Sequence, residues 1–169
     1  MLVPKGPAMD DTDIQIIDCL QNDATQAVSE IAKRVGLSTS PCWNRIQRLE
    51  AAGVIRSRVA LLDPAALNVG VTAFVSIRTS NHNAAWFEKF STAVSSAPEV
   101  VEFYRMSGDV DYLLRVVVPD IMAYDEFYKR LIDQVDLQDV SSSFAMEEIK
   151  YTTALPLDYV VTDQSPKRT

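Results

Sequence analysis

Apolar residues recur at helical spacing in three successive segments of the first fifty-four residues. In 11–22 and 27–35 they return every three or four positions, and the acidic residues ahead of the first segment suit a helix N-terminus. Gly36 and Gly53 stand where the second and third segments would end, as glycines commonly do. The pattern therefore predicts three helices, with the third in 37–54.

The start of the third helix fixes the turn before it. Ser40 could cap this helix with Pro41 at its first position, but a cap at Ser38 keeps the preceding turn to three or four residues. We prefer Ser38, because a turn of that length joins the second and third helices as a helix-turn-helix requires.

The third helix has two unlike faces. At 100° per residue, its inner side carries Cys42, Ile46 and Leu49. Its outer side is polar. Trp43 falls between the two sides, where we expect it to pack against the helix-turn-helix core; the alternative is a contact to a sugar or base of DNA. Serine and arginine suit phosphate, while asparagine, glutamine and arginine can hydrogen-bond base edges. The candidate DNA-binding residues are Ser38, Thr39, Ser40, Asn44, Arg45, Gln47, Arg48, Arg56 and Arg58.

The segment after Gly53 changes to alternating apolar and polar residues. Over 54–63 this alternation predicts a strand or hairpin, and thus a winged variant of the motif, with Arg56 and Arg58 placed to contact the DNA backbone.

The pattern of apolar and polar residues changes after a linker over 64–70, which contains proline, asparagine and glycine. Strands alternate with helices from there on. The predicted elements are strands over 71–79, 100–106, 111–118 and 140–153, and helices over 84–94 and 121–135. The order β-α-β-β-α-β predicts a ferredoxin-like sandwich, so the whole chain is of the α+β class.

One face of that predicted sheet is left uncovered by helices. Its expected apolar residues are Phe74 or Val75, Val101, Phe103, Leu113, Val117 and Ile149. Such a patch exceeds what a monomer usually exposes, so we predict a homodimer formed sheet against sheet. RNA recognition on the same fold is disfavoured, because no basic-glycine-aromatic run accompanies Phe103 and Tyr104.

Composition supports an ordered protein and limits its chemistry. The chain has 169 residues, of which 47% are hydrophobic, and a formal charge of −7. Residues 10–30 contain six acids and no base, whereas 31–60 contain six bases and one acid, so a local basic face is compatible with the overall charge. The opposing interpretation is a surface of salt bridges.

Other features disfavour membrane, secreted and metal-dependent classes. No run of eighteen apolar residues and no signal-peptide pattern is present, so we expect a cytoplasmic protein. Cys19 and Cys42 lie in helical apolar patterns and are expected to be reduced core thiols. The single histidine, His82, is too little for a multi-histidine metal centre and thin support for catalysis, so no cofactor, metal or enzymatic activity is predicted.

The expected domain organisation follows from these patterns. It comprises a flexible leader (1–9), a winged helix-turn-helix domain (10–63), a linker (64–70), a ferredoxin-like domain (71–157) and a flexible tail (158–169).

Four stretches in this order resemble the Lrp/AsnC family of transcription regulators. They are IAKRVGLSTSPCWNRIQRLEAAGVI, ALLDPAALN, SGDVDYLL followed by VVVPDIMAYDEF, and FAMEEIKYTTALP. The resemblance extends from about Asp10 to Leu157. It implies an N-terminal winged helix-turn-helix that binds double-stranded DNA and a C-terminal domain that dimerises, often forms octamers, and senses small molecules, usually amino acids.

The resemblance also implies where the effector binds. In the family, effectors lodge beside a Gly-Asp-x-Asp turn, which here is residues 108–111. An amino acid needs a carboxylate for its ammonium group, which Asp109 or Asp111 can supply, and N–H donors for its carboxylate. The candidate effector-binding residues are Met106, Ser107, Gly108, Asp109, Val110, Asp111, Tyr112, Ser141, Ser142 and Ser143. The alternative is that this segment is only a tight hairpin turn.

These observations predict a DNA-binding regulator modulated by a small molecule. Two other hypotheses are an architectural DNA-binding protein without an effector and an enzyme resembling the tetrapyrrole decarboxylases of this fold. The enzyme needs a cationic substrate pocket, for which the sequence offers little support.

Overall fold

The computed structural model describes residues 9–81 and 83–162. His82, most of the predicted leader and the end of the predicted tail lie outside the described residues. The chain divides into two compact units. One spans Leu61–Ile149, and the other combines the described residues up to Ala60 with 150–162.

Three helices form the N-terminal unit, close to their predicted positions. They are α1 (Asp11–Asn22), α2 (Val28–Arg34) and α3 (Thr39–Ala51). At the start of α1, the Asp10 carboxylate accepts the Asp13 N–H at 2.9 Å, and the Asp13 carboxylate accepts the Asp10 N–H at 3.1 Å. This reciprocal pair is a capping box, which satisfies two N–H groups that helix geometry leaves without partners.

The third helix begins where the short turn requires. Ser38 is the N-cap residue of α3, as predicted, and Gly36 before it has a φ of +71°, which favours glycine. The core of this unit is made by one face of each helix. Its buried members are Ile16, Cys19, Leu20, Ile31, Ala32, Cys42, Ile46 and Leu49.

The predicted strand or hairpin over 54–63 is wrong. Among the described residues this segment has no strand, and Val59, Leu61 and Leu62 along it are exposed. An alternating segment forms a strand only where another strand supplies hydrogen-bond partners, and none of the described strands pairs with this segment. Within the part of the chain that the structure describes, the helix-turn-helix thus has no β-wing.

The second unit is a four-stranded antiparallel sheet covered by two helices on one face. Its elements in chain order are β1 (Val71–Arg78), α4 (Ala84–Ser96), β2 (Val100–Arg105), β3 (Tyr112–Val118), α5 (Ile121–Gln134) and β4 (Asp139–Phe144). The strands lie in the order β2-β3-β1-β4, which is the ferredoxin-like arrangement predicted. Alternate residues of β1 and β3 pack under the helices, whose largest buried residues are Phe90 and Phe127.

The face of the sheet opposite the helices is less apolar than predicted. Phe74, Leu113 and Val117 lie on it, but Val75 and Phe103 pack in the helix-covered core. A bulge between Val100 and Glu102 explains Phe103, because one extra residue reverses the alternation of side chains along β2. We call this helix-free surface the open sheet face.

The last predicted strand also ends earlier than expected. β4 stops at Phe144, and Ile149, expected on the open sheet face, lies beyond it and is exposed. The described chain from Lys150 onward groups with the N-terminal unit, although 150–157 are predicted to belong to the second domain. There the Gln21 side-chain amide donates to the Leu155 carbonyl at 3.2 Å and accepts its N–H at 3.0 Å.

Part of the predicted flexible tail is regular. Residues Leu157–Tyr159 form a 3-10 turn, and Thr162 is buried. Across 9–81 and 83–162, no helix has the length and apolar character that crossing a membrane requires.

Candidate nucleic-acid interface and effector site

The outer face of α3 is open to solvent along most of its length. Every predicted DNA-binding residue on it except Arg45 is exposed. These are Ser38, Thr39, Ser40, Asn44, Gln47 and Arg48. The inner side, formed by Cys42, Ile46 and Leu49, is buried as predicted. Both thiols of the chain are free and buried, and burial raises the pKa of Cys42.

Arg45 is turned toward the start of α1. Its Nη1 lies 2.9 and 2.8 Å from the two carboxylate oxygens of Asp10 and 2.8 Å from Oδ1 of Asp13. These hydrogen bonds raise the pKa of the Arg45 guanidinium, which stays charged. Arg45 is therefore already bound to two carboxylates in the chain.

Arg48 shares one of those carboxylates. Its Nη2 lies 2.5 Å from Oδ2 of Asp13, whose side chain is only 1% exposed. The acidic segment 10–30 and the basic segment 31–60 thus meet at Asp13, and part of the predicted basic surface is neutralised there. The local pattern places Asp10 and Asp13 only at a helix N-terminus, because a partner thirty-five residues away is not visible in it.

The pKa of Asp10 reflects opposing influences. Burial by itself raises this pKa, but the N–H of Asp13 and the guanidinium of Arg45 outweigh it and hold the value below the ordinary 3.8. Asp10 is therefore ionised at neutral pH and completes the charge set at the α1–α3 junction.

The remaining polar residues near α3 are partly tied together. Glu50 accepts Gln47 at 2.8 Å through one carboxylate oxygen and Arg58 at 2.7 Å through the other. Arg56 is exposed. The expectation that Trp43 packs in the core is wrong: its side chain is 47% exposed and lies outside the buried cluster. An indole on the surface of α3 adds a further candidate contact.

The predicted effector turn is shaped by hydrogen bonds from Asp111. The Asp111 carboxylate accepts the Thr79 N–H at 2.9 Å, its own N–H donates to Ile77 at 3.0 Å, and its carbonyl accepts the Met106 N–H at 2.8 Å. Asp111 thereby links the β2–β3 turn to the end of β1. Thr79 was not anticipated, since its role depends on the sheet register.

The rest of the turn is open. Met106, Ser107, Gly108 and Asp109 are exposed, Val110 is half-buried, and Gly108 has a φ of +112°. Tyr112, in contrast, lies under the helices, with its ring centroid 5.0 Å from that of Phe90. Among the described residues, a backbone N–H donates to the carboxylate of Asp111 but none donates to that of Asp109. Asp109 is therefore the carboxylate that this turn presents.

The three serines of β4 lie on different faces of the sheet. Ser141 and Ser143 pair with Ser76 and Phe74 and share the open sheet face with them, whereas Ser142 hydrogen-bonds the Tyr124 hydroxyl on the helix side. Ser76 and Thr79 are three positions apart in the chain, about 10 Å at the rise of a strand. Ser141 is thus at the same end of the sheet as the turn.

A helix-turn-helix with an exposed polar third helix, joined to a ferredoxin-like unit, defines a class of two-domain proteins that bind DNA. Two family models match the chain: the AsnC-type helix-turn-helix domain over residues 9–50 and the Lrp/AsnC ligand binding domain over residues 72–155. The chain belongs to the Lrp/AsnC family of transcriptional regulators, as the four sequence stretches predicted.

Individual relatives agree over nearly the whole chain. The glutamate uptake regulatory protein of Zymomonas mobilis is 50% identical over 149 residues, which cover 88% of this chain and 91% of that protein. The DNA-binding transcriptional activator DecR of Escherichia coli is 50% identical over 151 residues, covering 89% and 99%.

Solved structures confirm the architecture. An AsnC family transcriptional regulator from Agrobacterium tumefaciens is 65% identical with a TM-score of 0.88, covering 90% of this chain and all of that one. A transcriptional regulator from Neisseria meningitidis, solved as a complex with L-Met, is 37% identical with a TM-score of 0.86, covering 91% of this chain and 100% of that one.

Proposed function

We propose that this protein is a transcriptional regulator that binds double-stranded DNA through the outer face of α3 and that an amino acid modulates this binding. The observation that carries the DNA-binding part is the exposure of Ser40, Asn44 and Arg48 on one side of α3, directly opposite its buried face. Their side chains supply a phosphate donor, a partner for adenine and a cation.

The DNA-binding proposal is tested with selected DNA. Full-length protein is used to enrich binding sequences from a random duplex pool, and an enriched duplex is labelled for fluorescence anisotropy beside a scrambled duplex. Asn44→Ala is expected to weaken binding to the enriched duplex by about 5- to 100-fold with less effect on the scrambled one. The matched control is Glu88→Ala, in the other unit, which leaves both affinities unchanged. Equal affinity of the wild type for both duplexes contradicts sequence-specific binding.

Arg56 has a different proposed role. It lies in the irregular segment after α3, where it suits the phosphate backbone. Arg56→Gln should weaken binding to enriched and scrambled duplexes alike and lower the slope of log Kd against log salt concentration by about 0.9.

We further propose that the effector binds at the turn 106–110 and that Asp109 pairs with its ammonium group. The Neisseria relative was solved with L-Met, and the Zymomonas relative is called a regulator of glutamate uptake; both names point to amino acids. Asp109 is exposed, whereas the Asp111 carboxylate already accepts the Thr79 N–H. Gly108 lets a ligand approach the backbone closely.

Thermal shift against the twenty amino acids tests the effector. An amino acid at 100 times its Kd should stabilise the protein by about 2.7 kcal/mol. Asp109→Asn should abolish that shift, while Asp125→Asn, an exposed change on α5, should leave it intact. No shift with any amino acid contradicts the effector proposal and favours the architectural alternative, which the DNA experiment leaves standing.

We propose a homodimer through the open sheet face, with dimers assembling into an octamer. Phe74, Leu113 and Val117 give this face an apolar centre, and the Glu102–Arg115 ion pair, at 2.8 Å, lies beside it. The octamer rests on the family resemblance. Phe74→Lys should shift the sedimentation profile toward the monomer, while Phe87→Lys, on the helix side, should not; an unchanged profile contradicts the sheet-to-sheet dimer.

A further inference from the structure

The carboxylate of Asp13 is the meeting point of α1 and α3. It lies at the third position of α1 with its side chain 1% exposed. Oδ1 is 2.8 Å from Nη1 of Arg45, and Oδ2 accepts both Arg48 and the N–H of Asp10. A buried carboxylate without such partners is strongly disfavoured. The Asp13 carboxylate therefore needs at least one arginine, with or without DNA bound.

The two arginines are not equivalent. Arg45 is within hydrogen-bond distance of three carboxylate oxygens through Nη1, and its side chain is 28% exposed. Arg48 reaches Asp13 through one contact and is 55% exposed. Because more than half of the Arg48 side chain is exposed, water can solvate its guanidinium when it leaves Asp13, while Arg45 keeps the buried carboxylate paired.

We propose that Asp13 is a positioning residue for DNA recognition: it holds Arg45 as a fixed anchor of α3 and holds Arg48 only until DNA offers a competing acceptor. Arg45 then sets the orientation of α3 on α1 and contacts no phosphate, which differs from its predicted role as a DNA contact. Arg48 exchanges one anionic partner for another. This inference rests on the proposed DNA binding.

The roles of the two arginines are separated by the salt dependence of DNA binding. Anisotropy titrations use the full-length protein and the enriched and scrambled duplexes at about 50 to 200 mM salt. Arg45→Gln is combined with Asp13→Asn, because Arg45→Gln alone would leave Arg48 as the only arginine on Asp13 and hold it away from DNA. The double variant should have the same slope of log Kd against log salt as Asp13→Asn, because no phosphate contact is lost. Arg48→Gln should lower that slope by about 0.9. A slope lower by about 0.9 in the double variant than in Asp13→Asn overturns the anchoring role, and an unchanged slope in Arg48→Gln overturns the exchange.

The positioning role of Asp13 is tested by the ratio of the two affinities. Asp13→Asn should reduce the preference for the enriched over the scrambled duplex by about tenfold, because α3 loses its fixed orientation. Asp11→Asn removes the same charge from an exposed position in the same turn and should leave the preference unchanged. Partial unfolding lowers the active fraction for both duplexes equally and does not move the ratio, so an unchanged ratio in folded Asp13→Asn overturns the proposal.

The outcomes also distinguish this inference from the proposed function. If the wild type prefers no duplex, DNA recognition itself fails and the positioning role with it. If the wild type discriminates but adding Arg45→Gln to Asp13→Asn lowers the salt slope, only the positioning role fails. Should Asp13→Asn not fold, Arg45→Gln is added to Arg48→Gln instead: a slope equal to that of Arg48→Gln supports the anchor, and a further fall of about 0.9 overturns it.

Discussion

Asp111→Ala is expected to destabilise the ferredoxin-like unit by an amount that follows from one hydrogen bond. The Asp111 carboxylate accepts the N–H of Thr79 at 2.9 Å, and Thr79 is only 6% exposed. Alanine leaves that N–H buried without its acceptor, while the backbone bonds of Asp111 stay. Losing a hydrogen bond to a charged group in this way costs about 1.5–3 kcal/mol.

Urea unfolding followed by the fluorescence of Trp86 measures this loss. The chain has two tryptophans, and Trp43→Phe removes the exposed one, so that the signal reports Trp86, whose indole N–H donates to Asp136 at 2.9 Å in the second unit. At fixed protein concentration, the unfolding midpoint of Asp111→Ala should fall with the denaturant slope unchanged.

The matched control for this experiment is Asp109→Ala, at the exposed end of the same turn. Its free energy of unfolding should stay within about 0.5 kcal/mol of the parent. If the two variants are equally stable, the Asp111–Thr79 bond does not hold the turn, and our division of the two carboxylates between structure and ligand binding is refuted.

Two further predictions concern backbone conformation and pH. Gly108→Ala should lower the free energy of unfolding by about 1–2 kcal/mol in the same urea assay, because Gly108 has a φ of +112°. Gly70 has no positive φ, so Gly70→Ala should not lower it. A Gly108→Ala variant as stable as the parent would contradict the strained turn. Because the folded-state pKa of Asp10 is below its ordinary value of 3.8, its stabilisation is complete above that pH and is lost as pH falls through the folded pKa. The difference in Tm between wild type and Asp10→Asn, by circular dichroism, should therefore be full at about pH 6 and shrink below about pH 4; a constant difference would show that ionisation of Asp10 is irrelevant.

Local pattern was sufficient for the helices and for the sheet topology. The Ser38 cap of α3 followed from the length of one turn, and the buried face of α3 from the helical period. These features depend on neighbours within a few residues, so they are accessible without knowledge of the tertiary structure.

Features that depend on distant partners were missed. The segment 54–63 alternates like a strand but has no partner strand, and the bulge near Val101 places Phe103 on the opposite face from the one expected. Arg45 was assigned to DNA because its position on the flank of α3 does not reveal Asp10 and Asp13, which are brought to it only by folding.

The candidate effector site was predicted in outline and altered in detail. The turn 106–110 is exposed as a ligand site needs, but Tyr112 and Ser142 face the helix-covered core. Which of two neighbouring carboxylates is available depends on the position of Thr79, which only the sheet register defines.

In the proposed function, amino-acid binding and DNA binding are coupled in one protein. The most direct test measures the Kd for the enriched duplex with and without the amino acid that gives the thermal shift, and the Kd for that amino acid with and without the duplex. Coupling predicts that both affinities change by the same factor, in the range of about 5- to 150-fold. DNA affinity that does not change at saturating amino acid would contradict this coupling.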